Sequence, residues 1–525
     1  MSTDFVRLSE PLNCRIRPKS SWTGPETAYS GASFRRKQLS NWFPARRPAD
    51  ADLLPDLPTL VARARDLDRN NGVAAGSFQA LQDNVVGTGL RLSATPDYRA
   101  LGKSLEWSEE WSRNVESLWK TYADTCACDA AYSQSFSGLT QLVFRSALMN
   151  GEALALPLWL ERPNIQWRTC FQMVDTDRLS NPGDSPYSNK NLRGGVEIDD
   201  YGRPLAYYIR QIPRDTPIYW YGAGDSWARV PAATEWGRKR VIHVFERQRV
   251  DQNRGAPILA PVIEQFRMLD AYQRTELQSS IVNALVAGVI ETPMDPAGIA
   301  EMMGGNPSDY LAAKNEYRVQ LEGGTFIPLY PGDKLTPFTP VRPPGTFPQF
   351  VETVLRQIGG AMGLPYELVL KDFSKTNYSS ARAALLEAWR FFLNRRGWIA
   401  TYWCQPAYEL WLEEVIDAGL VEAEDYYEQR QYYIRAKWIG PGRGWIDPVK
   451  EAQAAEIRMN NLVSTLEAEC AEQGLDWNEV LEQRAIEERR IAELGLTRPA
   501  TPAATNTAAP VEDSTDAPPP QEEAA

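Results

Sequence analysis

Pro365-Tyr-Glu-Leu-Val-Leu-Lys-Asp-Phe-Ser-Lys-Thr-Asn-Tyr-Ser-Ser380 runs straight into Ala381-Arg-Ala-Ala-Leu-Leu-Glu-Ala-Trp-Arg-Phe-Phe-Leu-Asn394. A polar loop feeds a long helix. Leu385, Trp389, Phe392 and Leu393 recur at helical spacing. Ser379 or Ser380 is expected as the N-cap, because a hydroxyl satisfies an orphan N–H of the first turn. Pro406 sits inside the pattern, which predicts a kink there. Upstream, Phe347, Phe350, Val351, Val354, Leu355 and Ile358 mark another helix, closed by Gly363 and Pro365.

Working outward, Ile258 to Ile290 reads as a second rod. Ile258, Val262, Phe266, Leu269, Leu277, Ile281 and Leu285 form its apolar stripe. Glu264, Arg267, Asp270, Arg274 and Glu276 lie on the other face. So long a helix with one apolar stripe needs long partners: the 347–362 helix, or the same helix of a neighbouring copy. Between the rods, Tyr317 to Tyr330 reads as a hairpin around Glu322-Gly-Gly324. From about 57 to 250 helices come first and short strands after, including a strand at Asn84 to Leu92, which suggests an α+β domain. Residues 448 to 495 are strongly helical. Thr497 to Ala525 lacks any aromatic and is expected to be disordered. Residues 1 to about 50 read as an arm made locally basic by Arg35, Arg36, Lys37, Arg46 and Arg47, suited to nucleic acid or an acidic neighbour.

The chain has 525 residues, ample for more than one domain or one elongated subunit. Its net charge of −12 argues against wrapping nucleic acid over a broad surface, though not against a passage through which it slides. The 17 tryptophans and 22 tyrosines divide between core and subunit contacts. Of six cysteines only Cys126 and Cys128 are close, and no histidine accompanies them, so no metal site is completed and no cofactor is expected. Met1 to Lys19 has no apolar signal-like core, and the run Ile281 to Ile290 is too short to span a bilayer, so a soluble protein away from membranes is expected.

Few residues suit catalysis. The lone histidine, His243, lies in the apolar run Val241-Ile-His-Val-Phe, where a satisfied core residue is the commoner case. Gly102-Lys103-Ser104 mimics the end of a phosphate-binding loop, but Asp97 occupies the place of the first glycine, and Ser104 reads better as a helix cap. The carboxylate pairs Glu413-Glu414 and Asp199-Asp200 leave a carboxylate-dependent α+β hydrolase as an alternative. No spacing selects one, and the expected answer is no enzyme.

Several words of the chain together resemble the portal proteins of tailed bacteriophages, specifically the lambda-like family. They are Ile358-Gly-Gly-Ala-Met-Gly-Leu-Pro-Tyr-Glu-Leu368, Asn377-Tyr-Ser-Ser-Ala-Arg-Ala383, Asn41-Trp42, Arg46-Arg47-Pro48-Ala49-Asp50, Arg69-Asn70-Asn71-Gly72, Asp83-Asn-Val-Val-Gly-Thr-Gly89, Val241-Ile-His-Val-Phe-Glu246 and Arg254-Gly-Ala-Pro257. The likeness runs from about residue 40 to 495.

What the resemblance implies is a mainly helical α+β portal fold in a ring-forming subunit. The arm (1–50) precedes a wing (51–257), a first stem helix (258–290), a clip (291–346) and a second stem helix (347–364). A tunnel loop (365–380), a kinked wing helix with its following segment (381–446), a crown (447–496) and an acidic tail (497–525) complete it. A ring of twelve at one capsid vertex would pass double-stranded DNA during packaging and ejection without reading its bases. Lys371, Lys375 and Asn377 would touch DNA from the tunnel loop. Arg318, Glu322 and Lys334 would lie on the clip's docking surface, facing the terminase large subunit and later a head-completion connector. Major capsid and scaffold proteins complete the expected partners. The expected location is the virion, after assembly in the host cytoplasm. Arg382, Arg390, Arg395 and Arg396 are expected in inter-helix or inter-subunit ion pairs rather than in contact with DNA. A non-portal structural virion protein is a further alternative.

Overall fold

The computed structural model describes residues 30–33, 36–184, 191–212, 226–285, 288–291, 298, 306, 334–337, 347–374, 378–444 and 447–496. A short helix α1 (Ala49–Leu53) leads to α2 (Leu57–Asn70) and α3 (Gly72–Val85). The corner between the last two is set by Asn71, whose side chain accepts from the N–H groups of Val73 and Ala74 at 3.1 and 3.0 Å. The strand expected at 84–92 is mostly something else. Helix α3 runs through Val85, and β1 is only Arg91–Ala94. Between them Gly87 (φ 54°) and Gly89 (φ 123°) turn the chain. A Cβ on Gly89 would lie 2.1 Å from the Ser137 hydroxyl, so only glycine fits.

Two helices follow, α4 (Leu105–Ala123) and α5 (Phe136–Asn150). Ser104 caps α4, accepting from Trp107 N–H at 3.2 Å as expected. Gly151 ends α5 in the left-handed region at φ 87°. The chain then lays down β2 (Glu152–Trp159), β3 (Thr169–Val174), β4 (Leu192–Arg193), β5 (Val196–Ile198), β6 (Pro204–Gln211), β7 (Ser226–Pro231) and β8 (Ile242–Phe245). They form two antiparallel sheets, ordered β3-β2-β8 and β4-β5-β6-β7. The α+β class read from the alternation is the observed one.

The first rod, α6 (Ile263–Leu285), is shorter at both ends than the 258–290 read from the sequence. A 3-10 turn at Ala260–Val262, carrying Pro261, opens it, and beyond it Gly288–Glu291 is strand β9, paired antiparallel with β10 (Lys334–Pro337). The 317–330 hairpin lies outside the described residues. Then come α7 (Phe347–Met362), α8 (Tyr366–Leu370), α9 (Tyr378–Ile399) and α10 (Gln405–Asp417). Ser379 and Ser380 fall inside the first turn of α9 rather than at its cap. The break expected at Pro406 takes the form of a π-turn, Ala400–Cys404, placed where the ring has no N–H to give.

Helix α11 (Tyr426–Tyr433) and β11 (Ala436–Ile439) follow, and β11 pairs with β1, tying residues 91–94 to 436–439. Three helices close the described chain: α12 (Pro448–Asn460), α13 (Leu466–Glu472) and α14 (Trp477–Glu493). No residue of α12 or α14 is buried.

The core sits where α4, α5 and α10 meet. Trp119 has Tyr122, Phe136, Tyr408, Trp411 and Trp438 around it at ring-centroid distances of 4.9 to 5.9 Å, mostly edge to face. Trp403 and Trp411 are fully buried. The aromatic excess is therefore largely core here, although Trp42 and Trp236 remain exposed.

Candidate functional site

The loop that joins α7 to α9 is a built structure for most of its length. Helix α7 ends in a Schellman turn. Gly363 stands at φ 70°, Leu364 N–H donates to the Gly359 carbonyl at 2.9 Å, and Gly363 N–H reaches Gly360 at 3.4 Å. This accounts for Gly359 and Gly363 of the 358–368 word. A Cβ on Gly359 would stand 2.6 Å from the Leu364 carbonyl oxygen, and one on Gly363 2.5 Å from the Phe391 ring. Leu364 is buried beneath the turn. Pro365 then opens α8, its carbonyl accepting from Leu368 and Val369 at 3.0 and 3.1 Å.

Lys371 ends α8 in the left-handed region at φ 56°, unusual for a residue with a side chain, and it is exposed. Asp372 next accepts from Ser374 N–H at 2.9 Å and fixes the following turn. Lys375 and Asn377 lie outside the described residues, as do Arg318 and Glu322. The backbone of Lys334 starts β10, opposite Glu291. Of the six expected contact residues, Lys371 is the one whose side chain is placed among those described, on the solvent side of a rigid turn.

Beside this loop the two rods meet through Tyr272, whose ring is 5.3 Å from Phe347 and 5.4 Å from Phe350. Val262, Phe266 and Leu269 are buried, as are Leu355, Ile358 and Met362 of α7. The far half of the stripe is bare: Leu277 is 64% and Ile281 52% exposed, with Met268 and Phe350 open as well. On the polar face Asp270 pairs with Arg267 and Arg274. Glu276, expected on that face, is buried.

A second cluster escaped the sequence reading. Glu152, fully buried at the start of β2, accepts from Arg254 Nε at 2.7 and 2.9 Å and also binds its terminal NH2 nitrogen. His243 Nε2 is 3.0 Å away, and Gly255 N–H donates at 3.1 Å. Arg254 also donates to the carbonyls of Leu179, Gly194 and Thr176. Burial alone would raise the Glu152 carboxyl, but the Arg254 guanidinium and His243 hold it down at about 2. Nearby Asp50, also buried, accepts from Asn253 N–H and Nδ2 at 2.9 and 2.7 Å. A Cβ on Gly255 would lie 1.9 Å from the Gly151 carbonyl, so the chain crosses itself there. The family words around His243 and Arg254 meet at the Glu152 carboxylate, and the word ending at Asp50 reaches the neighbouring Asn253.

The histidine and most of the carboxylates singled out in the sequence are engaged within the fold. His243 is a partnered core residue. Glu414 accepts from Arg168 and Thr169 N–H at 2.7 and 2.8 Å, and Glu413 pairs with Arg238 at 2.9 Å. Asp199 is spent on the turn N–H groups of Tyr201 and Arg203. Lys103 pairs with Glu424 at 2.7 Å instead of awaiting a phosphate. Arg395 pairs with Glu246, just after β8, and Arg390 with Glu387 one turn away in its own helix, so neither pair joins two helices as expected. Arg396 departs from that expectation too. It is buried and donates to the carbonyls of Asn84, Val85 and Pro441, and burial lowers it to about 10. Among the described residues no cluster of His, Cys, Asp and Glu could hold a metal ion, and no helix is long and apolar enough to cross a membrane.

The family model described as phage portal protein, lambda family, matches residues 35–396. Portal protein B of Escherichia phage lambda is 35% identical over 497 residues, spanning 91% of this chain and 92% of its own. The portal protein of Escherichia phage N15 is 36% identical over 488 residues, spanning 89% of this chain and 91% of its own. The probable portal protein of Halomonas phage phiHAP-1 is 25% identical over 478 residues, spanning 89% and 87%. Among solved structures, a chain from the virion of a native gene transfer agent particle has a TM-score of 0.40 at 14% identity, covering 73% of this chain and 94% of that one. A likeness that weak carries no argument.

Proposed function

Because the chain belongs to the lambda family of phage portal proteins, we propose that its copies close into a ring of twelve at one capsid vertex. Double-stranded DNA enters the head through it and later leaves. The ring is a heterologous interface that closes. What carries this reading is the half-covered stripe of α6: Leu277 and Ile281 face solvent on one copy, and a neighbouring rod is the natural cover for apolar side chains at that spacing. The rods form the wall. Lys371 and Lys375 point a ring of cations at the phosphates, screened enough for DNA to slide. The 291–346 region, with Arg318, Glu322 and Lys334, docks the terminase large subunit and then a connector protein, while major capsid and scaffold proteins hold the vertex. Assembly takes place in the host cytoplasm, and the energy for packaging comes from another subunit, not from this chain.

Negative-stain images of the purified protein test the ring: annuli with a central hole are expected, and a monomer under all conditions overturns it. Lys371→Ala with Lys375→Ala tests the loop. Rings should still form, while retention of packaged DNA should change and lose part of its salt dependence; unchanged retention at every salt concentration overturns the DNA contact.

A further inference from the structure

Helix α14 meets the rest of the subunit at its first turn. From Leu481 to Arg490 every residue is exposed, and the ion pairs there, Arg484 with Glu488 and Arg490 with Glu493, stay inside the helix. Asp476 caps the first turn, accepting from the N–H groups of Asn478 and Glu479 at 2.8 and 3.3 Å. The Glu479 carboxylate reaches across to two other elements, 3.1 Å from Arg91 of β1 and 3.5 Å from Lys120 of α4. A helix of this length is marginal by itself in water, so its order leans on that clip.

Into the same joint α4 puts a further carboxylate. Glu116, one turn before Lys120 and half-buried, accepts from Ala94 N–H of β1 at 2.7 Å. Among the described residues no cation pairs with it. Arg91 and Lys120 both go to Glu479, and Lys437, on the strand beside β1, goes to Glu467. Glu116 instead feels Asp476, Glu479 and Glu482 at the start of α14, with Tyr408 of α10 nearby and Cys470 of α13 close to Asp476. Four carboxylates thus share two cations. Burial first, and then these three carboxylates, push Glu116 up to about 7 against the pull of the Ala94 N–H.

We infer that Glu116 is a proton-controlled latch on α14: neutral, it lets the first turn clip onto β1 and α4; ionised, it loosens that turn. The neutral carboxyl still accepts from Ala94, while the repulsion is gone. Undocking α14 takes the three carboxylates away, so Glu116 loses its proton more readily when α14 is free. Docking therefore weakens as pH rises toward about 7 and is weakest above it. Glu479 must itself stay ionised to hold Arg91 and Lys120, which confines the test to pH 5.5 and above. The latch makes no use of the ring assembly proposed above.

Hydrogen exchange on the full chain tests it, read at the amides of Val480 to Arg484 and corrected for the intrinsic pH dependence of exchange. Protection there should fall roughly tenfold between pH 5.5 and 8, while the amides of α10 keep theirs. Glu116→Gln, neutral at every pH, should hold the pH 5.5 protection throughout, and Glu479→Gln should lack it at both values. Flat protection in the parent chain overturns the latch without recourse to any variant. An equal fall in α10 also overturns it, because the whole subunit would then be loosening. So does a Glu116→Gln chain whose protection still falls with pH, since another group would be titrating. A Glu479→Gln chain as well protected as the parent overturns it too, since something other than the clip would hold α14.

Discussion

The Glu152 hub and the α6–α7 rods lie in one chain and obey opposite rules. Around Glu152 every charge meets its partner inside the subunit, and Arg254 alone serves one carboxylate and three carbonyls. Along α6 the subunit leaves Met268, Leu277 and Ile281 to solvent. The first region is complete as a monomer. The second leaves apolar side chains uncovered within the subunit. Stability and assembly should therefore be separable by mutation, one region for each.

The largest stability effect should come from breaking the hub. Arg254→Ala strands a buried carboxylate, and a loss of about 3 to 5 kcal/mol is expected in chemical denaturation. If the loss were under 1 kcal/mol, the hub would not be the closed unit described. The same contrast can be sharpened with acid. Glu152 is depressed in the folded state, so its contribution is whole above the ordinary carboxylate value near 4.5 and disappears as pH falls toward about 2. Denaturation midpoints should therefore fall more steeply between pH 4.5 and 2 for the parent chain than for Glu152→Gln. Parallel slopes would remove Glu152 as the cause.

Between the two regions stands the α7 turn. Gly359→Ala and Gly363→Ala each force a Cβ into an occupied place, and roughly 1 to 3 kcal/mol should be lost in thermal unfolding. The smallest stability effect belongs to the rods. Leu277→Glu or Ile281→Glu should change monomer stability by no more than about 0.5 kcal/mol. Light scattering should nevertheless find their rings replaced by smaller species. Intact rings from the Leu277→Glu, Ile281→Glu double variant would rule out this stripe as the contact between subunits.

Local physics was legible before any coordinates. Ser104 capped α4 because a hydroxyl before a periodic run has few other uses, and Gly363 stopped α7 because only glycine enters that backbone region without strain. Boundaries were less legible. The strand expected at 84–92 gave way to the end of α3, since Val85 and Val86 favour strands by type yet are buried by helix packing here. The loop lysines were found by position in the chain; whether they face a channel depends on other copies, which no single chain encodes locally.

The family words, the helix periods, the stripe of α6 and the basic character of the arm were readable along the chain, because these depend on neighbours a few residues away. Folding alone brings Glu152, His243 and Arg254 to one buried site with Asp50 beside it on Asn253, turns Arg396 to carbonyls rather than a carboxylate, and leaves half the α6 stripe open. Those facts depend on which distant segments meet, and a meeting across two hundred residues leaves no periodic trace in the chain.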